Sequence, residues 1–282
     1  MKNKTVLLDG AVGTSLWQLA EENGIDKVPV WRYNVEHPEL VAELTRRYVA
    51  AGAEIVLANT FGANRDVVCR NSTYTVRQVV GAGVRICKEA VKGTDVKVAL
   101  SIGPLSQLLE PYGDVTEEDA EEIFTEQIGA GMEEGADMIC IQTFMDVEMM
   151  KIAARIARSY DVPVMCMMTF EKVGKTIMGN SVEDFIAAVE PIGIDIIGMN
   201  CSLGPDLAVP VMRQFVGKTK LPLAFKPNAG KPILNSDGTT KTAYDADTFV
   251  REIAPALDFV DYIGGCCGSD PTYIAKLKTM LV

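Results

Sequence analysis

No apolar run in the 282-residue sequence approaches the roughly 18 residues that a membrane-spanning helix needs. Basic residues are in deficit, with 27 Lys and Arg against 38 Asp and Glu and a formal net charge of −11. That balance argues against nucleic acid or an anionic membrane surface as the main partner, because both demand clustered cations. A leader segment is not expected, since Met1-Lys2-Asn3-Lys4 runs straight into the strand-like Thr5–Leu8. Seven cysteines without a leader point to a reducing, cytoplasmic compartment and free thiols, and an odd number leaves at least one unpaired. The turn Asp9-Gly-Ala-Val-Gly13 lacks the full dinucleotide fingerprint. Neither a domain boundary nor a low-complexity linker is evident, so residues 1–282 are expected to form one domain.

Eight short aliphatic runs recur, at Thr5–Leu8, Glu54–Ala58, Lys97–Ser101, Asp137–Gln142, Pro163–Thr169, Asp195–Met199, Leu221–Lys226 and Asp261–Gly264. They are nearly continuous rather than alternating, as parallel strands covered on both faces require. Each is followed by a helical pattern, clearest at Pro38–Ala51, Thr73–Val91, Thr116–Glu134, Val147–Ser159, Val182–Glu190, Leu207–Val216, Ala246–Leu257 and Thr272–Met280. Thr116, Ser181 and Asp270-Pro271 supply helix-start signals. Eight βα units in succession predict a single closed (β/α)8 TIM barrel, with an open doubly wound sheet as the alternative. The long irregular stretches Gly24–His37, Gly103–Val115 and Asn228–Thr242 are expected as loops around an active site.

Polar residues gather where the strands end: Asp9, Asn59-Thr60, Gln142-Thr143, Thr169, Asn200-Cys201, Lys226-Pro-Asn228 and Cys266-Cys267. Strand starts carry turn residues and little that reacts. In a barrel the C-terminal ends of the strands carry the chemistry, so this asymmetry points to an enzyme.

Cys140 and Cys166 lie inside apolar strands and read as buried hydrophobes, while Cys69 and Cys87 fall in or near helices. Cys201, Cys266 and Cys267 instead follow strands six and eight directly, so three sulfurs can converge on the barrel rim. Three thiolates suit tetrahedral Zn2+. The one histidine, His37, lies in a loop before the helical pattern Pro38–Ala51, and no fourth cysteine is placed at these ends. Three protein ligands leave one position open, the mark of a catalytic rather than a structural zinc. The alternative is a redox pair, but adjacent cysteines make a strained disulfide and are not Cys-x-x-Cys. Zinc on three thiolates carries a local charge of about −1, a poor Lewis acid that can still hold a substrate thiol as thiolate. Alkyl transfer to sulfur is the chemistry such a site favours.

These residues resemble the homocysteine S-methyltransferase family over essentially the whole chain. The matching segments are Asp9-Gly-Ala-Val-Gly-Thr14, Asn59-Thr-Phe-Gly-Ala-Asn-Arg65, Gly198-Met-Asn-Cys-Ser-Leu-Gly-Pro205, Lys226-Pro-Asn-Ala-Gly230 and Gly264-Gly-Cys-Cys-Gly268. Within the family the wording is most similar to the homocysteine-binding module of cobalamin-dependent methionine synthases. The resemblance implies one zinc on Cys201, Cys266 and Cys267, homocysteine as fourth ligand, and Asp9 holding the substrate's amino group. A Glu commonly ends the fourth strand in this family; here Gln142 stands there, which removes a charge-assisted bond and raises the prospect of a different thiol.

The expected activity is therefore zinc-dependent methylation of homocysteine or a related thiol, with Gly62, Asn64, Gln142, Asn200 and Asn228 shaping the pocket. No corrinoid-binding segment is recognisable, so the resemblance to the cobalamin-dependent enzymes implies a methyl group delivered by a separate methyl-corrinoid protein. Betaine, S-methylmethionine or S-adenosylmethionine are alternative donors. A non-catalytic zinc-thiol binding subunit is the alternative of another class.

Overall fold

The structure is a computed structural model and describes residues 4–230, 233–234 and 240–281. Residues 1–3, where the sequence leads into the first strand, lie outside the described residues, as do 231–232 and 235–239 of the third long loop and residue 282.

The eight expected strands form as β1 (Val6–Leu7), β2 (Ile55–Leu57), β3 (Lys97–Ile102), β4 (Met138–Phe144), β5 (Val164–Met168), β6 (Ile196–Asn200), β7 (Leu223–Lys226) and β8 (Tyr262–Ile263). They make one parallel sheet in the order β1-β8-β7-β6-β5-β4-β3-β2. A parallel bridge between Leu8 and Ile55 joins the two ends, with Asp9 N–H donating to Ile55 O at 3.1 Å and Glu54 N–H to Leu7 O at 2.7 Å. The sheet is a (β/α)8 barrel rather than an open doubly wound sheet.

Eight helices follow the strands in turn: α1 (Pro38–Ala50), α2 (Val76–Ala90), α3 (Glu117–Met132), α4 (Val147–Ala157), α5 (Val182–Val189), α6 (Pro205–Met212), α7 (Ala246–Ile253) and α8 (Pro271–Lys278). Their starts use the expected chemistry. Thr116 and Ser181 form reciprocal capping boxes with Asp119 and Asp184, and Asp270 accepts from Thr272 N–H ahead of Pro271. The apolar faces of these helices pack on the outside of the sheet and make the larger core.

Two expectations need correction. Gly24–His37 is not wholly irregular, because Val30–Arg32 is a 3-10 turn and Tyr33–Glu36 a helical turn. Asn228–Thr242 contains a short antiparallel pair, Ile233–Leu234 with Thr240–Lys241. Two helices also go beyond the expected eight, at Gly13–Glu22 and Arg65–Asn71.

Inside the barrel a second, separate cluster contains Leu8, Ile55, Ala99, Met138, Cys140, Met165, Met167, Ile196 and Ala224. Side chains alternate across a strand, so the inward series continues from Cys140 to Gln142, from Ala224 to Lys226 and from Ile196 through Gly198 to Asn200. The methionine-rich layer is closely filled, with a void of only about 10 Å³ beside Asp9 and Lys226. Above it the inward-facing residues turn polar. That change of character marks the end of the barrel where a site can form.

Candidate functional site

Cys201, Cys266 and Cys267 converge, with their sulfur atoms all within 4.8 Å of one another. Cys201 Sγ lies 3.7 Å from Cys267 Sγ. A tetrahedron with metal–sulfur bonds of about 2.3 Å has edges of about 3.8 Å, so the Cys201–Cys267 separation matches one edge of such a site. No His, Asp, Glu or further Cys joins the cluster among the described residues. His37 lies elsewhere, facing Tyr33 and Glu39. The donor set among the described residues is three sulfurs.

Backbone geometry delivers these sulfurs. Cys201 and Ser202, immediately after β6, adopt φ of 63° and 60° in the left-handed region, which costs a side-chain-bearing residue about 1 kcal/mol or more. Cys201 N–H donates to Lys226 O at 2.9 Å, tying the turn to β7. On the other side Cys266 N–H donates to Pro227 O at 2.8 Å, and Ala229 N–H to Cys267 O at 3.0 Å. Gly264 and Gly265 make this crossing possible. A Cβ at Gly264 would stand 2.6 Å from Asp9 O, and one at Gly265 would stand 2.1 Å from Ser269 Oγ.

All three thiols are pushed up, by contacts of mixed sign within the cluster and by burial. The hydrogen bond shared with Cys201, then burial, pushes Cys266 up to about 12. Cys267 is held down by Cys201 but pushed up further by Cys266 and burial, to about 12. Cys201 is held down by Cys266 and driven up by Cys267 and burial, to about 11. Without a cation the cluster is protonated at neutral pH. Burial lifts Cys87 to about 11 and Cys140 to about 12, which makes them inert core thiols.

Asn200, fully buried at the end of β6, organises the polar layer. Its Nδ2 donates to Thr143 Oγ1 at 2.7 Å, and lies 3.4 Å from Gln142 Oε1 and 3.8 Å from Cys266 Sγ. Its Oδ1 accepts from Thr143 N–H at 2.8 Å. Thr143 needs that support, because it holds φ 65° at a register shift between β4 and β5, a conformation costly for a β-branched residue. Gln142 Nε2 in turn donates to Ser101 Oγ at 2.8 Å.

The remaining expected residues are distributed unevenly. Asp9 is buried, its Oδ1 accepting from Lys226 Nζ at 2.5 Å and its Oδ2 from Leu57 N–H at 2.7 Å. Asn64 caps the helix Arg65–Asn71 by accepting from Val67 N–H at 3.2 Å, so its side chain has a structural task. Gly62 sits in open space. Asn228 Oδ1 is buried and has no hydrogen-bond partner among the described residues, which leaves an acceptor available beside the Pro227–Cys266 crossing. Lys226 stood in a recognised segment but not among the expected site residues. Its place two residues after inward-facing Ala224 was the available signal.

The profile of the family described as homocysteine S-methyltransferase matches residues 6–281. The methionine synthase of Mycobacterium leprae is 28% identical over 98% of this chain, which spans 24% of that protein's length. Betaine–homocysteine S-methyltransferase 1 of Mus musculus is 27% identical over 93% of this chain and 69% of its own. The chain thus spans about a quarter of the methionine synthases it matches. In fold it superposes on the metallated form of the homocysteine methyltransferase MmuM from Escherichia coli with a TM-score of 0.82, at 23% identity, covering 99% of this chain and 96% of that one. With the profile running from β1 through α8 and taking in all three cysteines of the cluster, the chain belongs to the homocysteine S-methyltransferase family.

Proposed function

We propose that this protein is a zinc-dependent S-methyltransferase that takes homocysteine or a related thiol as acceptor. The carrying observation is the convergence of Cys201, Cys266 and Cys267 in a chain of this family, at the spacing of a tetrahedral thiolate site. Bound there, zinc supplies a position at which a substrate thiol is held as thiolate near neutral pH.

The chain's own residues do the rest. Cys201, Cys266 and Cys267 hold the ion, and Asn200 fixes Cys266 through its amide while bracing the strained Thr143. Such outer partners orient metal ligands and tune their basicity. Gln142, Asn200 and Asn228 line the approach as neutral amides, Gly62 leaves room, and Asp9 holds Lys226 beneath.

A protein-borne methyl-corrinoid donor is supported by two observations. The methionine synthases are similar over almost the whole chain. The loops after β2 to β5 also expose Phe61, Leu108, Tyr112, Met145, Val173 and Ile177 on the side of the barrel that carries the cysteines, apolar side chains that a docking protein can cover. The similarity to the betaine-using enzyme supports the small-donor alternative.

The test is metal content with methyl transfer. Zinc near one per chain is expected, lost together with activity in Cys201→Ser or Cys267→Ser. Donor choice follows from offering a methyl-corrinoid protein, betaine, S-methylmethionine and S-adenosylmethionine separately. Full activity without metal overturns the reading; tight thiol binding without turnover on any donor points to the non-catalytic subunit instead.

A further inference from the structure

Cys266, Cys267, Gly268 and Ser269 form a tight turn, closed by Ser269 N–H donating to Cys266 O at 3.0 Å. Gly268 holds φ 83° in its third place, where such turns favour glycine. Ser269 is fully buried, and its hydroxyl donates to the same carbonyl at 2.6 Å. One side of the turn is tied to the chain after β7, where Cys266 N–H donates to Pro227 O and Ala229 N–H to Cys267 O.

The other side is tied to the segment after β1. Ala11 N–H donates to Ser269 O at 2.8 Å, and Gly268 N–H to Thr14 Oγ1 at 3.3 Å. Tyr48, 1% exposed, reaches the same point from α1. Its phenol donates to Ala11 O at 2.7 Å and to Ser269 O at 3.1 Å, with Ser15 Oγ 3.3 Å away. One hydroxyl thereby joins α1, the loop after β1 and the turn that carries two of the three clustered cysteines. The packing around it is close, since a Cβ at Gly10 would stand 2.3 Å from Ser269 O and 2.8 Å from Tyr48 Oη.

We propose that Tyr48 and Ser269 are positioning residues for the metal site. The phenol fixes where the turn lies against the barrel, and the Ser269 hydroxyl fixes its shape, so that Cys266 and Cys267 are presented together to Cys201. Both act through backbone carbonyls, at one remove from the sulfurs. The inference rests on the zinc–thiol reading above and extends the site to a helix that carries no metal ligand. Residues that orient metal ligands in this way change affinity by about 10- to 100-fold.

Chelator competition for Zn2+ tests this on the full chain, its Tyr48→Phe and Ser269→Ala variants, and Tyr33→Phe. Tyr33 is a second fully buried tyrosine, whose phenol bonds Asp26 O instead. Urea midpoints of each metal-free protein are measured alongside. Zn2+ affinity is expected to fall about tenfold or more in Tyr48→Phe and in Ser269→Ala, and to stay unchanged in Tyr33→Phe whatever its midpoint. Undiminished affinity in either folded site variant, with only its urea midpoint lowered, makes the role merely structural; that overturns the inference and leaves the zinc reading intact. An equal loss of affinity in Tyr33→Phe overturns it too. Failure of the unaltered chain to bind Zn2+ overturns the zinc reading and the inference with it. Should Tyr48→Phe not fold, Ser269→Ala decides by the same comparison.

Discussion

Lys226 Nζ donates to Asp9 Oδ1 at 2.5 Å, with the two side chains 2% and 1% exposed. The residues end β7 and follow β1, the two strands that flank β8. The pair therefore clamps both neighbours of the strand that leads to Cys266 and Cys267. Breaking a buried pair leaves one charge without compensation, which costs about 3–5 kcal/mol. Lys226→Met is expected to lose stability in that range, read from the urea midpoint. Asp9→Leu/Lys226→Met, with both charges gone, is expected to recover most of the loss; a double variant as unstable as the single would count against a charge origin.

Asn200→Ala is expected to weaken zinc binding about 10- to 100-fold although all three cysteines remain. The amide it removes bonds Thr143 twice and approaches Cys266. Competition with a zinc chelator measures the change. Stability should fall by about 1–3 kcal/mol, because Thr143 N–H loses its acceptor.

The pH dependence of metal binding follows from the thiols. Cys201 lies at about 11, and Cys266 and Cys267 at about 12, when no cation is present. Each is protonated at neutral pH and must ionise to bind metal, so binding should release about three protons per zinc. Apparent affinity accordingly rises with pH throughout the neutral range and falls on acidification. Titrations in buffers of different ionisation enthalpy count the protons, and release of one or none would remove the thiol cluster as the ligand set.

Gly264→Ala tests the crossing of β8 over Asp9. Its Cβ would stand 2.6 Å from Asp9 O and 2.8 Å from Leu8 Cβ, and these neighbours are backbone and a packed core side chain. Overpacking of this kind costs about 1–3 kcal/mol. Zinc stoichiometry below one per chain is expected, because displacement of Gly264 carries Cys266 with it.

The barrel was readable because eight apolar runs and eight helical patterns alternate without a break, and Thr116, Ser181 and Asp270 cap as their residue types suggest. The convergence of the cysteines followed from their strand-end positions and the closed topology. Helix Gly13–Glu22 escaped notice because Val12 precedes it without a capping side chain and Gly13 opens it. Arg65–Asn71 spans only about two turns, too short for a periodic pattern. Asn64 reads as a pocket residue in sequence yet caps that helix, since pocket and cap use the same amide. The Lys226–Asp9 pair joins positions 217 residues apart, and closure of the barrel alone brings them together.

The most direct measurement is zinc K-edge X-ray absorption on the purified, zinc-loaded chain. Three sulfur neighbours at about 2.3 Å with one lighter atom are expected, becoming four sulfurs when ethanethiol or homocysteine is added to saturation. Fewer than three sulfurs in the resting protein, or a coordination shell that saturating thiol leaves unchanged, would contradict a three-cysteine site with its fourth position reserved for the substrate.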